Sequence, residues 1–189
     1  MSCSKQIISD FVSNLSSKTP TPGGGAAAAI SAAIGGAAAQ MSACYTMRKK
    51  DIESGAAAKA EMLIKSIDTE RYIQAADDDA KAYADLQRTW KEADMPKEEK
   101  ERIEAAALAV PVKLLEECHK NIMEIQEFLP HCNPNITSDA KVGIHQLAGA
   151  SRAAFQTAIV NSPSDDEKTR LKQLLMEIRR VEDTILDLE

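Results

Sequence analysis

Apolar residues recur every three or four positions along nearly the whole chain, and no stretch alternates with period two for long enough to make a strand. Ile7, Ile8, Phe11, Val12 and Leu15 predict a short amphipathic helix over 4–16. It stops ahead of Thr19-Pro20-Thr21-Pro22, because each residue before a proline is pushed out of helical angles. Gly23-Gly24-Gly25 then opens a second helix reaching about Met47. Within it Gly25, Ala29, Ala33 and Gly36 fall at spacings of four, four and three, which leaves one side nearly smooth and lets another backbone approach. An uncharged helix with so few large side chains is expected at the centre of a bundle. Arg48, Lys49 and Lys50 follow where cations complement the dipole at its carboxyl end.

The spacing predicts one long helix over 51–90, with Leu63, Ile64, Ile67, Tyr72, Ala76, Tyr83 and Leu86 on its apolar side. Residues 93–96 break it, with Asp94 as a cap for a fourth helix ending near Leu129, and Pro111 is expected to kink that helix. Residues 130–135 form a turn, and Thr137 or Ser138 caps a fifth helix to about Val160. After a turn at 161–164, Leu171, Leu174, Leu175, Ile178, Val181, Ile185 and Leu188 mark a last helix. The expectation is an all-α antiparallel helical bundle of about five to six helices, one domain over 1–189.

Composition trims the functional possibilities. No charge occurs from Thr19 to Met47, but Pro20, Pro22, the glycine triplet and the preponderance of alanine make the stretch too weakly apolar for hydrocarbon, so no membrane partner is expected. A net charge of −6 argues against general affinity for nucleic acid, which rests on neutralising many phosphates. The four cysteines are widely spaced with no C-x-x-C pair, and the start of the chain reads as no signal segment, so they are expected to be reduced in a cytoplasmic protein. None of the three histidines pairs with another His or Cys at ligand spacing, and no metal is expected.

Four clusters carry candidate chemistry. Pro22-Gly23-Gly24-Gly25 at a helix start exposes backbone donors to a ligand, and equally serves as a tight turn for close helix packing. In Asp77-Asp78-Asp79 the first two read as a solvated face. Asp79 shares a seam with Ala76, Tyr83, Leu86 and Trp90, which places a carboxylate in an apolar stripe, where it is either functional or a hydrogen-bonded structural group. Asn135-Ile136-Thr137-Ser138-Asp139 reads as an ordinary helix start, and Thr46-Met47-Arg48-Lys49-Lys50 as a solvated helix end or a seat for an anionic tail. His145 reads as a satisfied side chain and His119 as part of a wet face.

In their order and separations, Pro20-Thr21-Pro22-Gly23-Gly24-Gly25, Thr46 with its basic triplet, Asp79-x-x-Ala82-Tyr83, Val110-Pro111 and Asn135-x-x-Ser138-Asp139 resemble the formiminotetrahydrofolate cyclodeaminase and methenyltetrahydrofolate cyclohydrolase family, from about Phe11 to Asn161. After Asn161 the chain departs from that pattern by turning at once through Ser162-Pro163-Ser164-Asp165. The resemblance implies a helical homodimer with a folate site in a tunnel near the subunit interface. It implies Asp79 and Asp139 as the catalytic acid–base pair, and Pro22, Gly23, Gly24, Gly25, Thr46, Lys49, Lys50, Tyr83, Asn135 and Ser138 as substrate-binding. A tetrahydrofolate derivative is then the substrate, no cofactor is held permanently, and without a formiminotransferase domain in front only the second half-reaction is expected. Cyclodeaminase, cyclohydrolase and an inactive folate-binding bundle all remain open at this point.

Overall fold

Alanine and glycine decide how the helices meet. The computed structural model describes residues 2–188, and among these there is no strand. Eight α-helices follow one another: α1 (Ile8–Leu15), α2 (Gly24–Cys44), α3 (Lys49–Glu53), α4 (Ala56–Ser66), α5 (Thr69–Lys91), α6 (Lys97–Phe128), α7 (Thr137–Val160) and α8 (Asp165–Ile185), with a 3-10 turn at Leu129–His131. The fold is all-α, as the periodicity predicts.

Helix α2 packs most extensively on α7 and then on α5. A Cβ at Gly35 would lie 2.8 Å from the Cβ of Gln146 and 3.1 Å from the Gly143 carbonyl oxygen, so α2 and α7 touch backbone to backbone. Residue 39 of α2 in turn meets Gly143, so the two helices run antiparallel. The face bearing Gly25 and Gly36 turns instead toward α5 and the loop before it. A Cβ at Gly36 would fall 2.9 Å from Ile67 Cγ2 and 3.4 Å from both Thr69 Cγ2 and Tyr72 Cε2. The smooth face is therefore filled from within the chain. Gly36→Leu is expected to overpack it at a cost of about 1–3 kcal/mol or more, lowering helicity and melting temperature. A circular-dichroism melt superimposable on the wild type would refute that.

One side of α2 is not covered. Ile30 is half-buried, and Ile34 (55% exposed), Ala37, Met41, Cys44 and Tyr45 (61% exposed) continue the same seam to the end of the helix. The expectation that α2 hides all round thus holds on two faces and fails on the third.

The single helix expected over 51–90 is three helices. Gly55, at φ +81°, takes a left-handed conformation open to glycine without strain, and it separates α3 from α4. Asp68 ends the run after α4, its carboxylate accepting the Arg71 N–H at 2.9 Å to cap α5. Alanines keep the apolar phase across both breaks, which hides them from periodicity. Helix α6 runs through Pro111 without interruption, and its N-cap is Pro96 rather than Asp94. Neither Thr137 nor Ser138 caps α7. The Thr137 hydroxyl donates to the Asn133 carbonyl instead, and Ile136 holds the cap position.

Helix α8 is latched to its neighbours by charged pairs, one of them centred on the buried Glu182. Glu182 accepts from Arg152 and from the His145 ring on α7, and Glu177 pairs with His119 of α6. Both histidines have partners, and His119 is less wet than its sequence neighbours suggest.

Candidate functional site

The glycine turn and Asp79 meet at the amino end of α2. Helix α5 lies against α2 and aims the Asp79 carboxylate at its first turn, where Oδ2 accepts the Ala26 N–H at 3.0 Å. Gly25 makes this contact possible, because a Cβ there would lie 2.0 Å from Asp79 Oδ1. Burial raises the Asp79 carboxyl above the usual carboxylate value, with the single backbone hydrogen bond opposing that shift. Gly23 and Gly24 have nothing within 4 Å of where a Cβ would stand, so their backbone faces open space. Pro22, after a cis peptide bond, is buried beneath them.

Beside this turn runs a groove of about 490 Å³, lined by Pro20, Thr21, Ala80, Lys81, Tyr83 and Gln87 among others. Tyr83 stands at its edge, its ring 6.2 Å from that of Trp90 in an edge-to-face pair. The seam of Ala76, Asp79, Tyr83, Leu86 and Trp90 is accordingly enclosed only at its start; Trp90 is 65% exposed. Asp77 and Asp78 are not simply solvated. Asp77 takes hydrogen bonds from Ser2, Cys3 and Ser4, and Asp78 pairs with Arg71 at 2.9 Å.

A second cluster forms at the other end of α2. Thr46 is fully buried, and its hydroxyl donates to the Ser42 carbonyl and accepts the Asn133 N–H at 3.0 Å. With its hydroxyl spent inside the chain, it positions the turn and does not present a group to a ligand. Arg48 grips Asp51 through two nitrogens and reaches Asn133 Oδ1 at 2.7 Å, which holds the Asp51 carboxyl below its usual value. Lys49 and Lys50 extend into solvent. Asn133 is the hub, since its side chain also donates to the Tyr45 carbonyl and accepts the Asn135 N–H. It fixes the start of α7 at the carboxyl end of α2, where Asn135 and Ser138 are exposed and Ser138 donates to Asp139 Oδ2 at 3.1 Å. In sequence Asn133 looks like any turn residue, and nothing in its neighbours marks a side chain that bonds to residues more than eighty positions away.

The proposed site residues thus divide into two groups. Pro22, Gly23, Gly24, Gly25, Asp79 and Tyr83 lie at one end of α2, and Thr46, Lys49, Lys50, Asn135, Ser138 and Asp139 at the other. Between Ala26 and Ala43 the helix measures about 25 Å. Within one chain Asp79 and Asp139 stand at opposite ends of α2.

The order of these motifs along the chain is the property a family comparison can weigh. The profile described as formiminotransferase-cyclodeaminase matches residues 7–180. The chain belongs to this family. The match runs past the turn after Asn161 and into α8, ending at residue 180. Among solved structures, formiminotetrahydrofolate cyclodeaminase from Thermotoga maritima is similar over 95% of this chain and 91% of that one, at 19% identity and a TM-score of 0.81. At that identity the likeness speaks for the fold. No curated protein matches by sequence. The matched span takes in both ends of α2.

Proposed function

We propose that the protein converts 5-formiminotetrahydrofolate to 5,10-methenyltetrahydrofolate with release of ammonia, at sites shared by two copies of the chain. The observation that carries this reading is the half-buried Asp79 carboxyl seated on the glycine turn. N10 attacks the formimino carbon, its proton goes to a base, the departing nitrogen takes a proton from an acid, and ammonia leaves the cationic bridge behind. A carboxyl held above its usual value by burial keeps a proton to higher pH, which suits Asp79 to the acid role. Oδ2 is occupied by the Ala26 N–H, so Oδ1 is the oxygen left to carry that proton. The base role falls to Asp139.

The division of the motifs supports a dimeric site. The uncovered seam of Ile34, Met41 and Tyr45 runs along α2 between the two clusters. Two copies paired antiparallel along it would bring Asp79 of one chain to Asp139 of the other, in a two-fold arrangement with two equal sites. Lys49 and Lys50 would then lie at the rim, in reach of the anionic glutamate tail.

Two measurements test this. Purified protein given 5-formiminotetrahydrofolate is expected to release ammonia in step with methenyl absorbance. Loss of methenyl absorbance on adding the methenyl compound, with no ammonia from the formimino compound, would instead make it the cyclohydrolase, and binding without either reaction would make it an inactive folate-binding bundle. Mixing and re-equilibrating Asp79→Asn with Asp139→Asn, each inactive alone, is expected to restore about a quarter of wild-type activity, because half the dimers would carry one intact site. No recovery from two folded variants that exchange subunits would reject the shared site.

A further inference from the structure

Of the three cations that follow α2, two point away and one points in. Lys49 and Lys50 are exposed, whereas the Arg48 side chain is only 33% exposed and spends its guanidinium inside the chain. Nε and Nη2 donate to the two oxygens of Asp51 at 2.7 and 2.8 Å, and Nη1 donates to Asn133 Oδ1 at 2.7 Å. The buried Asp51 carboxylate also accepts the Arg48 N–H at 2.9 Å, which fixes the base of the side chain as well as its tip. A planar fork can reach these three oxygens at once, and a single ammonium cannot. Asn133, itself buried, passes the restraint on. Thr46 and the Tyr45 carbonyl hold its nitrogens, and among the described hydrogen bonds Arg48 is the sole donor to Oδ1 from outside the turn. The same Oδ1 accepts the Asn135 N–H at 3.1 Å, while the Asn133 carbonyl accepts the Ile136 N–H at 3.0 Å and the Thr137 hydroxyl at 3.1 Å. The Ile136 carbonyl then accepts the Asp139 N–H at 3.1 Å. An unbroken run of contacts thus leads from Arg48 to the backbone of Asp139.

We propose that Arg48 is a positioning residue for the Asp139 end of the site: it does not meet the anionic tail but holds, through Asn133, the turn that presents Asn135, Ser138 and Asp139. The role rests on the reading of Asp139 as the base, because alignment to within an ångström matters only to a group that must meet a reacting atom. Asp51 keeps the fork in place and acts one step further back. The basic triplet is thereby divided, with one cation given to architecture and two left at the surface.

Arg48→Lys keeps the charge and loses the fork, so a tail contact and a positioning role predict opposite results. Positioning predicts that kcat falls by about 10–10²-fold, with any change in KM alike for mono- and polyglutamated 5-formiminotetrahydrofolate. Without substrate, amide hydrogen exchange at Asn135 and Ile136, followed by NMR, should quicken by about tenfold or more while amides in the middle of α7 keep their rates. Should Arg48→Lys melt too early to assay, Arg48→Met combined with Asp51→Asn carries the same readouts. That pair leaves no buried charge alone, and the asparagine oxygen can still accept the N–H of residue 48. A wild-type kcat, or a rise in KM that grows with tail length, overturns the positioning role. A fall in kcat with unmoved exchange at Asn135 and Ile136 overturns the route through Asn133. A wild type inert toward folates overturns the folate reading, and the exchange rates, which need no substrate, separate that failure from a failure of the clamp.

Discussion

Asp79→Asn is expected to lower turnover by about 10²–10⁴-fold and, at neutral pH, to raise the melting temperature. The two effects have one cause. The asparagine carbonyl can still accept the Ala26 N–H, so the contact that seats α5 on α2 survives. What disappears is the group that carries a proton, and with it the cost of keeping a carboxylate where burial disfavours its charge. The sign follows from linkage: a carboxyl raised in the folded state favours folding fully below its ordinary value near 3.8 and loses that contribution as pH rises through its folded value. Asparagine does not titrate. The stability advantage of the variant should therefore be absent in acid, open above about pH 4 and level off once the folded value is passed. Calorimetry across that range beside a turnover assay reads both, and a variant that is inactive and equally destabilised at every pH would mean that Asp79 is a structural anchor.

Gly25→Ala is expected to be nearly as damaging to activity while leaving the bundle folded. Helix propensity by itself argues for a gain, since alanine exceeds glycine by about 1 kcal/mol in a helix. The site reverses that expectation. The new methyl would stand 2.0 Å from Asp79 Oδ1 and 2.4 Å from its Cγ, so the carboxyl must swing away and give up the Ala26 N–H. Displacing the proton-bearing oxygen by an ångström or more removes its alignment, which is enough to cost about 10²-fold. The expected signature is a large fall in kcat with wild-type helicity by circular dichroism. Gly149→Ala on α7 is the control, because its Cβ would meet open space away from the site. Equal activity in Gly25→Ala and wild type would show that the close approach of glycine and carboxylate has no part in catalysis.

Much of this was legible in the chain. Small residues at helical spacing announce close backbone contact, and α2 makes such contacts on two faces. Asp79 stands out because it interrupts an apolar seam, and the structure half-buries it against the first turn of α2. The breaks at Gly55 and Asp68 were written in the sequence too, as a glycine and an Asp-Thr pair, but alanine-rich flanks kept the periodicity in phase and masked them. Other features had no local signal. Asp77 looks like a member of a charge run until donors more than seventy residues away arrive on it, and Asn133 looks like any turn residue. Above all, spacing along a chain does not tell which end of a helix a motif will occupy. Only the antiparallel course of α7 on α2 parts Asp139 from Asp79.

Helix α2 is thereby a ruler whose divisions cannot be altered singly. Its three sides are all committed, one to α5, one to α7 and one to the open seam, and an inserted or deleted residue rotates everything beyond it by about 100°. Such a change would carry Ile34 or Met41 into the space now filled by glycine and send glycine out to the seam. An inserted or deleted residue is expected to be tolerated better at the exposed tip between α5 and α6, where residues 92–96 join two helices. The number of residues from the glycine turn to Tyr45 is as much a part of the active arrangement as the side chains at either end.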